Sequence, residues 1–355
     1  MCGDDVYMKI VFILPRPYPH VVGGYKVVYD YANYLARNHD VTIYHVVNMP
    51  FSRSKRPSLL KYIYFKLSGS IHFDWYKFSN PVQMKLCHDL RQIEPCECLI
   101  ATAWGTAYIA HRLRARKKFY LIQGYEIWGG EDCENVFNSY RLEGMTNIVI
   151  STFLKEKVET VGGNPCVVVH NGLDLKNFFI RHLNHERMPN SILMMYNRQF
   201  EKGAQDGIEA LVLVREQIPD IKVTFFGVES FPQNLPSWIR YVCNPKREVL
   251  VELYNQNSIF VNASHTEGFG LSIAEAMACG CAVVATDSGG CRDFAIHNET
   301  ALLSPPQDPK QLACHIIMFL RDSAYKEKIA SNGYEKIQEF EIEKACSAFE
   351  KCILG

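Results

Sequence analysis

The sequence predicts an α/β protein of two domains, each built on a parallel, doubly wound sheet. The length supports two domains, because 355 residues suit two units of ordinary size, each with its own core. A strand–helix–strand pattern occupies residues 9–47. The same pattern returns over residues 258–285, where a glycine-bearing loop separates the first strand from the helix.

The composition argues against several classes of protein. The chain has 38 basic and 38 acidic residues, a balance that disfavours a nucleic-acid binder. Its apolar runs are all shorter than 18 residues, so we expect no transmembrane helix. The 13 cysteines show no familiar zinc-binding spacing, and residues 1–7 lack the apolar core of a signal peptide. We therefore expect a cytoplasmic protein with reduced thiols.

The first strand–helix–strand unit predicts a nucleotide-type fold. Lys9–Leu14 predicts a strand, the apolar positions after Tyr25 predict a helix, and residues 41–47 predict the next strand. The loop between them reads PRPYPHVVGG and ends at Gly23-Gly24. It lacks the G-x-G-x-x-G pattern, and no acidic residue follows the second strand, which disfavours a dinucleotide-dependent dehydrogenase.

Residues 51–67 form a basic amphipathic segment, in which five Lys or Arg residues alternate with Leu, Tyr, Ile and Phe. Two interpretations stay open. The apolar side packs on its own domain, or the segment rests on an anionic membrane surface.

Two further predicted strands, residues 98–103 and 119–123, end in polar loops. Loops at the carboxyl ends of parallel strands form the binding site of a doubly wound sheet. Gln123, Tyr125 and Glu126 are therefore candidates to contact a ligand. Tyr125 could equally pack the wall of the site.

A polar stretch at residues 181–190, which contains Pro189, predicts the linker between the domains. The second sheet then begins near Ile192 and is followed by the loop NRQFEKG, with Arg198 and Lys202. Two cations at the end of one strand suit an anionic ligand such as a diphosphate.

Residues 265–286, HTEGFGLSIAEAMACGCAVVAT, contain two carboxylates, Glu267 in the loop and Glu275 in the helix. Gly268 and Gly270 carry no side chain, so main-chain N–H groups at the helix start can approach an anion. Phosphate repels carboxylates, so we expect both glutamates to face hydroxyl groups. An isolated pair would also fit a solvated helix end and a surface loop.

The string EGFGLSIAEAMACGCAVVA resembles the signature of the family 4 glycosyltransferases, which are retaining nucleotide-sugar transferases. Their GT-B fold consists of two Rossmann-like domains that face a cleft. The resemblance implies that Glu267 faces the donor sugar and that Glu275 binds the ribose. It also implies that the donor is held by a wider set of residues: Gly23, Gly24, Arg198, Lys202, Gly268, Phe269, Gly270 and Leu271.

The resemblance covers roughly residues 8–350 and implies three parts. These are a first domain on the acceptor side (8–180), a donor domain (191–335) and a terminal helix that crosses back (336–355). Many family members use a histidine after the strand that ends at Gln123, where this chain reads QGYEIWGG instead. The resemblance thus makes Gln123, Tyr125 and Glu126 the candidates to contact the sugar or the acceptor.

The implied activity is retaining transfer of a hexosyl or deoxyhexosyl group in polysaccharide biosynthesis, with Glu267, Arg198 and Lys202 as catalytic residues. A nucleoside-diphosphate sugar is the co-substrate, the acceptor is a glycan, a lipid-linked or another molecule, and no cofactor or metal is implied. An inactive nucleotide-sugar-binding subunit and a nucleotide-sugar 2-epimerase are the alternatives. The cytoplasm is the expected location, with peripheral contact to an anionic membrane left open.

Overall fold

The computed structural model describes residues 7–51, 57–69, 71, 73–127, 133–183, 186–230 and 235–355. These residues form two compact units. The first runs to Asn171 and also includes Glu343–Gly355, and the second is Gly172–Ile342. Within the described ranges, no helix is both long and apolar enough to cross a membrane.

The first unit is a parallel sheet with helices packed against it. Its elements in chain order are β1 (Lys9–Leu14), α1 (Gly23–Leu35), β2 (Asp40–Val46), α2 (Ser58–Leu67), β3 (Val82–Cys87), β4 (Cys96–Ala101), α3 (Trp104–Arg112), β5 (Ala115–Ile122), α4 (Cys133–Ser139), β6 (Thr146–Val149), α5 (Thr152–Thr160) and β7 (Cys166–Val168). The described strands lie in the order β3-β2-β1-β4-β5-β6-β7. The central strands are continuous apolar runs because helices exclude water from both faces of a parallel sheet.

The second unit repeats this architecture. Its elements are β8 (Met188–Met195), α6 (Ala204–Gln217), β9 (Lys222–Gly227), β10 (Ile239–Cys243), α7 (Arg247–Gln256), β11 (Asn257–Asn262), α8 (Leu271–Ala278), β12 (Ala282–Thr286), β13 (Leu302–Ser304), α9 (Pro309–Arg321) and α10 (Ser323–Ile337). The described strands lie in the order β10-β9-β8-β11-β12-β13, and all pairs are parallel. The predicted pair of parallel, doubly wound sheets is confirmed.

Each sheet has a point where the order of the strands reverses along the chain. In the second unit β8 lies between β9 and β11, so the loops that leave β8 and β11 emerge side by side. Ligands of open α/β sheets bind at such points, outside the carboxyl ends of the strands. The loop after β8 carries Arg198 and Lys202, and the loop after β11 carries Glu267.

The units change over at Asn171 and Gly172, whereas the sequence analysis places the linker at 181–190. Part of the predicted linker belongs to the core of the second unit. Arg187 is buried there and donates to the carbonyls of Tyr254 (3.0 Å) and Asn257 (2.8 Å). Strand β8 also begins at Met188, four residues before the predicted Ile192. Residues 184 and 185 lie outside the described residues.

The chain returns to the first unit through helix α11 (Ile342–Leu354). Its Phe349 ring stacks on Tyr31 of α1 at a centroid distance of 4.2 Å and is fully buried. The Arg37 guanidinium donates to both carboxylate oxygens of Glu343 at 2.9 Å. Helix α11 is therefore part of the core of the first unit.

Candidate functional site

Lys202 and Glu267 form the centre of the site in the second unit. The Lys202 ammonium lies 2.8 Å from Glu267 Oε2, and the Ser264 hydroxyl donates to Glu267 Oε1 at 2.7 Å. The exposed fractions of the two charged side chains are 23% and 12%. A half-buried carboxylate that has a hydrogen-bond partner on each oxygen is held in one orientation. A group that must face a reacting atom needs such a fixed orientation.

Gly203 lets the loops after β8 and β11 approach closely. It has φ 60°, and a Cβ at this position would lie 1.8 Å from the carbonyl oxygen of Ala263. The neighbouring main chains are joined by a hydrogen bond from His265 N to Glu201 O at 2.8 Å. Glycine is required here by both its conformation and its size, and the close approach places Lys202 beside Glu267.

The loop before α8 has the geometry of an anion site. Gly270 has φ 94° and leads into the helix, whose start carries no side-chain cap. Glu267 N donates to Ser288 O, Gly290 N donates to Glu267 O, and Gly290 has no space for a Cβ beside Gly268. Uncapped N–H groups at a helix start, together with the helix dipole, favour a phosphate.

Phe269 and Leu271 flank Gly270 in the predicted donor loop. The Phe269 side chain is buried and packs against the rings of Phe294 and Phe340. Leu271 is the first residue of α8. Since the Phe269 side chain belongs to the core, only its main chain is placed to contact a ligand.

Glu275 lies in α8, where the hydroxyl of Tyr254 donates to its Oε2 at 3.2 Å. Tyr254 is fully buried, and its ring contacts Phe178, Phe226 and Phe260. Burial and the neighbouring Glu275 carboxylate raise the pKa of Tyr254 well above its usual value. The phenol therefore stays protonated and acts as a fixed donor to Glu275.

Arg198 is the second cation of the loop after β8, and it pairs with Glu229 at the end of β9. Its Nε lies 2.6 Å from Glu229 Oε2, and its main-chain N–H donates to Oε1 at 3.0 Å. The Glu229 carbonyl in turn accepts the Tyr241 hydroxyl at 2.8 Å. The Arg198 side chain is 60% exposed, so its terminal guanidinium nitrogens are open to an anion from solvent.

A cavity of about 320 Å³ lies beside Arg198. Its wall includes Tyr196, Phe200, Leu235 and the hydrogen-bonded side chains of His265 and Asp206, whose Nε2 and Oδ2 atoms are 2.6 Å apart. Lys202, Glu267 and Glu275 do not line this cavity. Arg198 therefore belongs both to the wall of the cavity and to the loop after β8 that carries the two predicted cations.

Gly23, Gly24 and Gln123 lie in the first unit, at the start of α1 and after β5. The two glycines are the first residues of α1, whereas the sequence analysis places them in the preceding loop. A Cβ on Gly24 would lie 3.4 Å from the Gln123 side-chain amide, so these residues are neighbours. Gln123 Oε1 is buried, without a hydrogen-bond partner in the described part of the chain. It is an acceptor that a ligand hydroxyl could satisfy.

Glu126 follows β5 and accepts the main-chain N–H of Trp104 on its Oε2 at 3.1 Å. Burial raises the pKa of the Glu126 carboxyl to about 7, although the Trp104 N–H lowers it in part. The Tyr125 ring stacks with Phe137 and Tyr140 at centroid distances of 6.0 and 6.5 Å. Glu126 therefore titrates near neutral pH, while Tyr125 packs in an aromatic cluster.

The sequence analysis did not identify three residues whose side chains form hydrogen bonds to predicted site residues. These are Ser264, Tyr254 and Glu229. Ser264 stands three residues before Glu267, and Glu229 lies two residues after the end of β9, so their positions carried a signal. Tyr254 lies 21 residues from Glu275 in an apolar helix face, and no local pattern indicates the contact. Among the described residues, no group of three His, Cys, Asp or Glu side chains is placed to hold a metal ion.

Comparison with known proteins gives matches to glycosyltransferases. Residues 176–336, within the second unit, match the family model "Glycosyl transferases group 1". An N,N'-diacetylbacillosaminyl-diphospho-undecaprenol alpha-1,3-N-acetylgalactosaminyltransferase of Campylobacter jejuni is 26% identical over half of this chain and half of its own length. An O-antigen chain mannosyltransferase B of Escherichia coli is 33% identical over 30% of this chain and 27% of its own length. The chain thus spans about half the length, or less, of these curated relatives.

Solved structures share the fold over nearly the whole chain. Sucrose-phosphate synthase from Thermosynechococcus elongatus has a TM-score of 0.72 at 20% identity, covering 97% of this chain and 98% of its own. Anabaena HepE in complex with UDP-glucose has a TM-score of 0.74 at 16% identity, covering 98% and 99%. The two parallel-sheet units are those of the GT-B fold.

Proposed function

We propose that this chain is a retaining glycosyltransferase of family 4, which moves a sugar from a nucleoside diphosphate to a glycan or lipid-linked acceptor. One observation carries the proposal: Lys202, Glu267 and the uncapped start of α8 meet beside the strand-order reversal of the second unit. The match of the same unit to a glycosyltransferase family model supports it.

Each side chain has a proposed role in donor binding. Lys202 has three N–H donors, so it can keep Glu267 and still reach a phosphate oxygen. Arg198 and the main chain of Gly268, Phe269, Gly270 and Leu271 hold the remaining diphosphate oxygens, and Glu275 accepts ribose hydroxyls. Gly23 and Gly24 stay proposed contacts of the donor phosphate.

The proposed reaction keeps the configuration of the anomeric carbon. The bond from that carbon to the diphosphate oxygen breaks, and the acceptor oxygen attacks from the same face. The acceptor proton passes to the departing phosphate oxygen. Glu267 orients the sugar and stabilises positive charge near the anomeric carbon, while Lys202 and Arg198 stabilise the leaving diphosphate. These cations support a reaction without a metal or a cofactor.

The acceptor is proposed by class alone. The Campylobacter relative is named for an acceptor on undecaprenol diphosphate, and the Escherichia coli relative for an O-antigen chain. Both names support a glycan or lipid-linked acceptor. Gln123 and Glu126 are proposed contacts of the sugar or the acceptor, because one presents a buried acceptor atom and the other a carboxyl that titrates near pH 7.

Calorimetry with UDP, GDP, dTDP and ADP, followed by transfer assays with the sugar nucleotides, tests the proposal. At least one nucleoside diphosphate should bind, and Lys202→Ala should weaken that binding by about 1.5–3 kcal/mol through one lost charge-assisted contact. Lys328→Ala, on an exposed face of α10, is the matched control. Glu267→Gln should lower kcat more than it changes nucleotide affinity.

The product decides between the open alternatives. A product with the donor's anomeric configuration, formed in excess EDTA, supports retention without a metal. Equal binding by Lys202→Ala and the parent would contradict the diphosphate site. Epimerised sugar nucleotide without acceptor would indicate the 2-epimerase, and binding without turnover on any acceptor pool would indicate the inactive subunit.

A further inference from the structure

Helix α2 of the first unit exposes an unusual number of large apolar side chains for its length. It has ten residues, and none of them is buried. The exposed fractions are 54% for Leu59, 59% for Leu60, 42% for Ile63, 67% for Tyr64 and 83% for Leu67. We call these five side chains the α2 apolar arc.

The arc is continuous on the helix surface. At about 3.6 residues per turn, its five positions fall within less than half of the circumference. The opposite side faces the protein, where the Tyr62 ring lies 4.6 Å from the His88 ring beyond edge strand β3. One side of α2 therefore anchors the helix to its unit, and the other presents Leu, Ile and Tyr to solvent.

Two lysines border the arc. On the helical wheel Lys61 lies at one edge of it and Lys66 at the other. The Lys66 ammonium lies 5.7 Å from the centre of the Tyr62 ring. Long cationic side chains at the edges of an apolar stripe can place their charge among lipid head groups while their stems cover apolar surface.

The charge of the surrounding sequence has one sign. From Phe51 to Phe73 the chain contains five Lys or Arg residues and no Asp or Glu. This asymmetry stands out in a chain whose total charges balance. A fitting partner therefore offers an apolar region to the α2 apolar arc and negative charge to the lysines on both sides of it. An anionic bilayer has this arrangement, with acyl chains below a layer of negatively charged head groups.

We propose that the α2 apolar arc inserts in the plane of an anionic phospholipid bilayer and holds the first unit at the membrane surface. A symmetric contact between two copies of α2 would bring four lysines together with no carboxylate on the helix, and like charges across an interface are unfavourable. The lipid surface satisfies both the apolar arc and its cationic borders.

Vesicle flotation of the full chain tests the apolar part. Binding to vesicles of phosphatidylcholine mixed with phosphatidylglycerol is expected, and the double change Leu60→Ser, Leu67→Ser should weaken the partition constant about tenfold or more. The control is Val249→Ser, Met318→Ser, which removes two apolar side chains of α7 and α9 that are 47% and 45% exposed. This control should bind like the parent.

The charge part has its own readout. Lys61→Gln, Lys66→Gln should lower binding to the mixed vesicles by about fivefold for each lysine, and added salt should lower the parent's binding in the same way. Vesicles of phosphatidylcholine alone should bind the parent weakly and show no lysine dependence.

Circular dichroism of every variant reports whether the chain is folded, and nucleotide calorimetry reports separately on the second unit. Nucleotide binding belongs to the second unit, so its failure would affect the proposed function and leave the membrane proposal standing. Parent chain that does not float with anionic vesicles overturns the membrane proposal. So does flotation that Leu60→Ser, Leu67→Ser leaves unchanged. Lipid-independent dimers that this variant dissociates would assign the arc to a second copy instead.

Discussion

Glu267 accepts from Lys202 on one carboxylate oxygen and from Ser264 on the other. It therefore connects the loop after β8, which carries Lys202, with its own loop before α8. The arrangement explains how a carboxylate can stand beside the proposed phosphate site. The Lys202 ammonium, 2.8 Å from Glu267 Oε2, offsets the negative charge of the carboxylate, and the Ser264 hydroxyl fixes the orientation of the other oxygen. Removing either partner would leave the other charge unpaired in this half-buried setting, which costs more than breaking a surface ion pair.

Tyr254→Phe should loosen Glu275 while keeping the aromatic packing. The hydrogen bond from the phenol to a charged acceptor is worth about 1.5–3 kcal/mol. We expect part of it to hold the carboxylate toward the ribose of the proposed donor. We expect nucleoside diphosphate affinity to fall, and the preference for a ribonucleotide over its 2′-deoxy analogue to shrink toward that of Glu275→Gln. Calorimetry with both nucleotides measures this.

A purely structural role for Tyr254 makes a different prediction. Both nucleotides would then lose affinity by the same factor, and the preference between them would not change. Phe260→Leu, which alters packing beside the Tyr254 ring without touching its hydroxyl, is the control.

Glu126 should make the stability of the parent depend on pH. Its pKa rises from an ordinary 4.5 to about 7 in the folded chain, so the folded state binds more protons than the unfolded state between these values. The parent should lose stability as the pH rises from about 4.5 to 7, on the order of 3 kcal/mol, and change little from this group above pH 7.

Glu126→Gln should remove that loss, because the amide oxygen can still accept the Trp104 N–H and carries no charge. Urea unfolding of parent and variant at pH 5 and pH 8 checks this, with exposed Glu143→Gln as the control. A variant that is no more stable than the parent at pH 8 would contradict the raised pKa.

At the scale of the elements, strand order decides where the site lies. Loops after β8 and β11 meet because the two strands are adjacent, although the sequence separates them by β9, α6, β10 and α7. The approach is close enough that Gly203 faces the Ala263 carbonyl with no space for a side chain. The turn Phe200–Lys202 is thereby fixed against the loop that carries Glu267.

Gly203→Ala and Gly144→Ala separate crowding from backbone strain. Both glycines have positive φ, 60° and 71°, but only the Gly144 position has open space around it. Gly144→Ala should cost about 1–2 kcal/mol from the left-handed conformation alone. Gly203→Ala adds a clash with a carbonyl and should cost at least about 3 kcal/mol in total.

Denaturant unfolding of both variants measures the difference, and nucleotide calorimetry adds a second readout. Gly203→Ala should also weaken nucleotide binding, because it displaces the adjacent Lys202. Equal losses of stability in the two variants would mean that the loop after β11 yields easily.

At the scale of the whole molecule, the chain leaves the second unit close to the place where it enters it. Leu173 N donates to Phe340 O at 2.7 Å, and Ile342 N donates to Leu173 O at 2.8 Å. The last helix, α11, then completes the core of the first unit through Phe349. The stability of the first unit thus depends on residues from the far end of the chain.

Phe349→Ala should destabilise the first unit by about 3–5 kcal/mol, the usual cost of removing a buried phenylalanine ring. Hydrogen exchange should then accelerate in β1 and α1, while β11 and the proposed nucleotide binding of the second unit keep the parent's behaviour. Phe179→Ala, which truncates a phenylalanine that is 41% exposed, should change little. Uniform acceleration in both units would show that they unfold together.

The sequence by itself determined much of the fold and the identity of the main candidates. Alternating apolar strands and amphipathic helices predicted two parallel sheets, since that periodicity lies among neighbouring residues. Glu267, Glu275, Arg198 and Lys202 were identified because they stand in short motifs at the ends of predicted strands or in the following helix. Their roles in binding and catalysis stay predictions.

Only the tertiary structure decided what holds those side chains and where the units divide. Tyr254 meets Glu275 across 21 residues, and Glu229 meets Arg198 across 31. The polar stretch with Arg187 joins the second unit because a buried guanidinium binds carbonyls from β11 and α7. Such contacts depend on the order in which strands assemble into the sheet, and a local pattern carries no information about that order.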